Sequence, residues 1–114
     1  MPNLKEKLCK TAAGHDTYDI DNADPVLLFP ICSEIEKKFG FNVPNLPFFG
    51  LDGTYIKLIR NDVEIVLGWD VWSDIFVMAV DDKGDKIVQE IGIYLNSIIE
   101  DLEKKQVELL KNKK

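Results

Sequence analysis

The sequence predicts an α+β fold: a small antiparallel meander of three strands, or four, with amphipathic helices packed on one face, in the order α-α-β-β-β-α. Three observations lead there. Runs rich in β-branched and aromatic residues follow one another between positions 55 and 80, separated by short polar connections. Apolar residues recur at helical spacing on both sides of that run, over Leu28–Phe39 and Val88–Leu102. Glycine, proline and aspartate mark the ends of these segments.

Residues 1–13 read as a short helix, with Leu4 and Leu8 on one side, Ala12 one turn on and Gly14 as its stop. His15 to Ala23 lacks periodicity and is rich in turn formers, so a loop is expected. Asp24-Pro25 suits an N-cap followed by proline in the first turn. Beyond it Leu28, Ile31, Cys32, Ile35 and Phe39 share a face, and Pro30 requires the helix to kink or to begin there. Gly40 suits the left-handed closing position. Residues 42–53, with two prolines and two glycines, suit an extended connection ending in an Asp52-Gly53 turn.

The strands are expected at Tyr55–Arg60, Val63–Trp69 and Ile75–Val80. Alternation puts Ile56, Leu58, Val63, Ile65, Leu67, Ile75, Val77 and Ala79 on one face. Tyr55, Lys57, Ile59, Glu64, Val66, Phe76 and Met78 fall on the other, a mixed face more apolar than a solvated one needs to be. Asp85 suits the N-cap of a last helix with Val88, Ile91, Leu95, Ile98 and Leu102 as its stripe, widened by Ile87 and Tyr94. The stripe falters where Lys105 and Gln106 occupy the next apolar position, so 103–114 reads as a solvated basic helical tail.

At 114 residues, 46% hydrophobic and 30% charged, the chain is expected to form one domain over 1–114 with a core of its own. No apolar run approaches the ~20 residues that span a bilayer. The segment Met1 to Lys7 lacks the apolar stretch of a signal peptide, so a cytoplasmic protein is expected. The net charge of −6 is unevenly spread. Residues 61–103 set eleven carboxylates against Lys83 and Lys86, whereas the last eleven residues carry five lysines against Glu108. An acidic body repels nucleic acid and attracts basic partners.

The inventory of reactive side chains is thin, and no enzyme is expected. His15 is the one histidine, there is no Gly-x-Ser-x-Gly elbow, and Cys9 has lysines near it but no partner signature. Cys32 reads as a small core residue. Asp16, Asp19, Asp21 and Asp24 break calcium-loop spacing, and Asp81-Asp82-Lys83-Gly84-Asp85 has a lysine inside the would-be site. Turn and cap chemistry accounts for both, and one histidine with two distant cysteines does not suit zinc. The glycines are isolated rather than clustered into a phosphate loop. No metal or cofactor is expected.

One segment stands apart. Trp69-Asp70-Val71-Trp72-Ser73-Asp74 gathers both tryptophans and two aspartates into one turn between strands. Tryptophan offers a large rigid contact area and is enriched at interface hot spots. One indole is expected in the core and the other partly exposed; if the exposed one is Trp72, it sits inside an acidic rim formed with Asp70 and Asp74 and extended by Asp81 and Asp82. Trp69, Asp70, Trp72, Asp74, Asp81 and Asp82 are therefore the candidate partner-binding residues.

The segment Tyr55–Leu95, with its Leu67-Gly68-Trp69-Asp70-Val71-Trp72-Ser73 turn and following helix, resembles small acidic bacterial immunity proteins of polymorphic toxin and contact-dependent inhibition systems. The likeness rests on size, charge and a strand–Trp turn–strand–helix run over about a third of the chain. It implies a non-enzymatic protein-binding module that occludes a basic toxin or other basic partner. Two further readings stand beside it. One is a homodimer joined through the second sheet face, with a structural or regulatory role. The other is a small-ligand pocket between helix and sheet lined by Phe48, Phe49, Tyr55 and Tyr94.

Overall fold

Six strands and three helices make up the computed structural model, which describes residues 4–10 and 14–112. In chain order they are β1 (Lys5–Lys10), β2 (Asp16–Asp21), a 3-10 turn (Pro25–Leu27), α1 (Leu28–Phe39), β3 (Phe48–Phe49), β4 (Gly53–Arg60), β5 (Val63–Asp70), β6 (Asp74–Ala79), α2 (Asp82–Ser97) and α3 (Ile99–Lys111). The sheet order is β1-β2-β6-β5-β4-β3, with every neighbouring pair antiparallel.

This corrects the expected three- or four-stranded meander and its α-α-β-β-β-α order. The β4-β5-β6 run is present, but it is the middle of a larger sheet. The expected N-terminal helix is a strand over Lys5–Lys10 where it is described, and the expected loop after His15 is β2. Both errors have a physical source. Residues i and i+4 share a face in a helix and in a strand alike, so Leu4 and Leu8 do not discriminate between the two. In β2 the alternating pair Tyr18 and Ile20 is hidden among Asp16, Thr17, Asp19 and Asp21, residues mostly poor at forming strands. Pairing with β6 on one side and β1 on the other overrides that preference.

The register fixes the two faces. Tyr18, Ile20, Ile56, Leu58, Ile65, Leu67, Ile75, Val77 and Ala79 share the first face and are buried with the helices. From α1 come Leu28, Ile31, Cys32 and Ile35, and from α2 Ile87, Val88, Ile91 and Leu95. The second face carries Tyr55, Lys57, Ile59, Glu64, Val66, Phe76 and Met78. Phe48, Tyr55 and Phe76 form an aromatic row there, with ring centroids 6.2 and 6.1 Å apart.

Local chemistry sets the helix ends. The Asp24 carboxylate accepts from Val26 N at 2.9 Å, which caps the 3-10 turn, and α1 follows directly. Pro30 lies in the first turn of α1, where a backbone N–H would have no intrahelical partner. Gly40, at φ 74°, closes α1 through its N–H to the Glu36 carbonyl. The cap of α2 is Asp81, whose Oδ1 accepts from Lys83 N at 3.0 Å, rather than Asp85. The single expected C-terminal helix is divided at Ile98 (φ −114°, ψ 18°).

The break turns α3 toward the 3-10 turn, and Gln106 is buried instead of solvated. Its Oε1 accepts from Asp24 N at 2.7 Å and its Nε2 donates to the Asn22 carbonyl at 3.4 Å. A glutamine at an apolar stripe position is thus the ligand of a polar loop backbone. No helix among the described residues is long and apolar enough to cross a membrane.

Candidate protein-docking surface

The Trp turn is built by its own aspartates. Asp70 and Asp74 pair across the β5–β6 hairpin, leaving a three-residue loop over 71–73. Asp74 takes a left-handed conformation at φ 57°, which aspartate tolerates better than most residues. The Asp70 Oδ1 accepts from Trp72 N at 3.1 Å and Ser73 N at 2.7 Å, so one carboxylate holds the loop backbone. Asp74 Oδ2 accepts from Asn22 N at 2.7 Å and ties the loop to the end of β2. Trp69 packs against the buried cluster, with its indole N–H donating to the Ala23 carbonyl at 3.2 Å. Trp72 points away and is 75% exposed.

A second turn lies alongside. Gly53 pairs with Asp70, and Val71 N donates to the Asp52 carbonyl at 3.0 Å. The approach needs glycine, because a Cβ at residue 53 would sit 2.3 Å from the Trp69 carbonyl oxygen. The two turns together expose Leu51, Val71 and Trp72, with Phe48 and Phe49 exposed on the adjoining edge strand. Asp52, Asp70 and Asp74 are the charges of these turns, and neither 46–54 nor 69–75 contains a lysine or arginine. Large exposed apolar side chains thus lie near one end of the sheet, beside the carboxylates of its turns. Leu51 is absent from the sequence-based candidates, and Phe48 and Phe49 stand among them only as lining of a small-ligand pocket. The signal for Leu51 was the Leu51-Asp52-Gly53 turn, whose neighbour is known only once β4 and β5 are in register.

Trp69, Asp70, Trp72 and Asp74 are thus one structural unit, but Asp81 and Asp82 do not join it. They follow the far end of β6, whose six residues span about 20 Å at ~3.3 Å per residue. Asp81 serves α2 as its cap. Asp82 and Asp85, in the first turn of α2, face His15 Nδ1 at 3.6 and 3.5 Å. These three side chains place possible metal-ligand atoms within 4.8 Å of one another. Carboxylates in the first turn also complement the helix macrodipole. Nearby, Asp16 is buried and bonded to Lys10 and Gln89. The Lys10 bond, with help from Gln89, holds its carboxyl below the usual range.

The expected pocket lined by Phe48, Phe49, Tyr55 and Tyr94 is not assembled. Tyr94 belongs to the contact between α1 and α2, with its hydroxyl donating to Glu34 Oε1 at 2.6 Å and its ring edge-on to Phe39. Phe48 and Tyr55 lie together on the second sheet face. That face holds a shallow hollow lined by Thr17, Asp19, Asp70, Phe76 and Met78. Burial raises the Asp19 carboxyl above the usual range and the Asp21 and Asp70 charges add to this, against the Thr17 hydroxyl bond and the Lys7 charge.

Compared with known proteins, the chain matches no family model, no curated protein and no solved structure.

Proposed function

We propose that this chain is a non-enzymatic protein-binding module that seats a basic protein partner on the paired turns around Trp72, in the manner of an immunity-type inhibitor. The observation that carries the reading is Trp72 itself: an indole 75% exposed on a loop whose backbone is held by Asp70. A rigid, exposed tryptophan loses little freedom on binding, which makes it an efficient anchor. Leu51 and Val71 extend the apolar centre, and Asp52, Asp70 and Asp74 attract basic groups at its rim.

The test compares capture of a basic partner from the source organism by the wild-type chain and by Trp72→Ala, at low and high salt. Trp72 contributes little to the core, so the variant keeps the wild-type melting temperature and loses affinity by tenfold or more. Trp69→Ala behaves oppositely, losing stability first. Wild-type affinity in Trp72→Ala refutes the assignment of the surface.

A second reading, self-association through the second sheet face, draws on the half-buried Tyr55, Ile59, Val66 and Met78 there. Light scattering across a concentration series decides it, and a mass that stays monomeric removes it.

A further inference from the structure

The opposite edge of the sheet carries a groove that the docking surface does not involve. It runs between β1 and α2 and encloses about 350 Å³, within the lower range of small-molecule sites. Its walls are Leu8 of β1, 52% exposed, and Ile93 of α2, 73% exposed. Two large apolar side chains thus stand open to solvent on either side of one groove. The floor includes the ring of Tyr18, drawn so close under α2 that a Cβ at Gly92 would lie 2.7 Å from its Cδ1.

Tyr18 is only 4% exposed, and its buried hydroxyl has no hydrogen-bond partner among the described residues. A buried hydroxyl left unsatisfied loses its bonds to water without replacing them. Burial also pushes the phenol above its ordinary pKa, so the group stays a neutral donor. An oxygen acceptor is the complement it lacks.

We propose that this groove binds a small uncharged ligand whose apolar body lies between Leu8 and Ile93 and whose carbonyl oxygen accepts from the Tyr18 hydroxyl. Glu6 is the charge on the groove's own face of β1 and disfavours an anion, whereas Lys7 leaves the opposite face and pairs with Asp21 at 3.7 Å. An added strand from another protein is disfavoured, because Lys5, Lys7 and Lys10 are all exposed along β1 and edge lysines resist strand addition. The hydroxyl itself is sealed from solvent, so binding requires the groove walls to part, which side-chain rotamer changes on picoseconds to nanoseconds allow.

Acetophenone is a suitable probe, with an apolar ring and a carbonyl acceptor, and ethylbenzene is its counterpart without the acceptor. Binding is read from the methyl resonances of Leu8 and Ile93, which the ring current of the probe displaces. Acetophenone is expected to give saturable shifts in the wild-type chain, at least fivefold weaker binding in Tyr18→Phe and none in Ile93→Gln. Ethylbenzene is expected to bind the wild-type chain and Tyr18→Phe equally. Tyr18→Phe removes an unsatisfied polar atom and so melts no lower than wild type, while Ile93→Gln alters only an exposed position. Absence of saturable shifts overturns the proposal. So does equal acetophenone affinity in Tyr18→Phe, which would leave the hydroxyl to an ordered water. Trp72→Ala leaves either result unchanged, since the groove and the docking surface share no residue.

Discussion

Replacing Gly53 by alanine tests whether the two turns of the proposed docking surface are one packed unit. The new Cβ would lie 2.3 Å from the Trp69 carbonyl oxygen and 2.7 and 2.9 Å from Asp70 Cβ and Cα. Two of these three contacts are with backbone atoms, so no rotamer change relieves them, and β4 must move away from β5 at that end. Overpacking of this kind costs about 1–3 kcal/mol. The same movement weakens the bond from Val71 N to the Asp52 carbonyl, worth about 1 kcal/mol. A loss of about 2–3 kcal/mol lowers the melting temperature of a chain this size by roughly 10 °C. Thermal melting followed by circular dichroism reads the loss, with Gly50→Ala as control. There the nearest atom is the tip of the Phe48 side chain at 3.1 Å, which can turn aside. A Gly53→Ala variant that melts within 2 °C of wild type would refute the packing of the two turns, and with it the shared surface.

Two other substitutions probe charges and polar groups that the fold places in unfavourable surroundings. Asp19 has its carboxyl raised from the ordinary 3.8, so the wild-type chain loses stability as pH rises from there through the raised value. Asp19→Asn should therefore melt higher than wild type at pH 7, with the advantage vanishing below pH 3.8; an advantage that grows on acidification contradicts the assignment. Gln106→Leu leaves Asp24 N without its acceptor and should cost about 1–3 kcal/mol despite the added apolar surface. A melting temperature above wild type would show that burial outweighs the lost bond.

The part of this molecule legible in its sequence is the part written in local periodicity. The α1 stripe, its closure at Gly40 and the alternating faces of the strands between 55 and 80 all depend on neighbours a few residues away. That one tryptophan packs against the core and the other is exposed is legible in the same way, but the register assigns the roles, with Trp69 continuing the inward row of Ile65 and Leu67 and Trp72 in the loop. What the tertiary structure alone decided are the relations between distant segments. Leu4 and Leu8 fit helix and strand equally, and β2, which neither its composition nor its own pattern announced, is a strand because β6 and β1 complete its hydrogen-bond ladder. The separation of Asp81 and Asp82 from the Trp turn, the bond from Val71 N to the Asp52 carbonyl, the burial of Gln106 and the groove over Tyr18 follow likewise from the sheet register and from how the helices pack on it. A residue type records what a side chain prefers. Its partner is chosen where the backbone ladder and the burial of apolar surface, summed over the whole sheet, outweigh that preference.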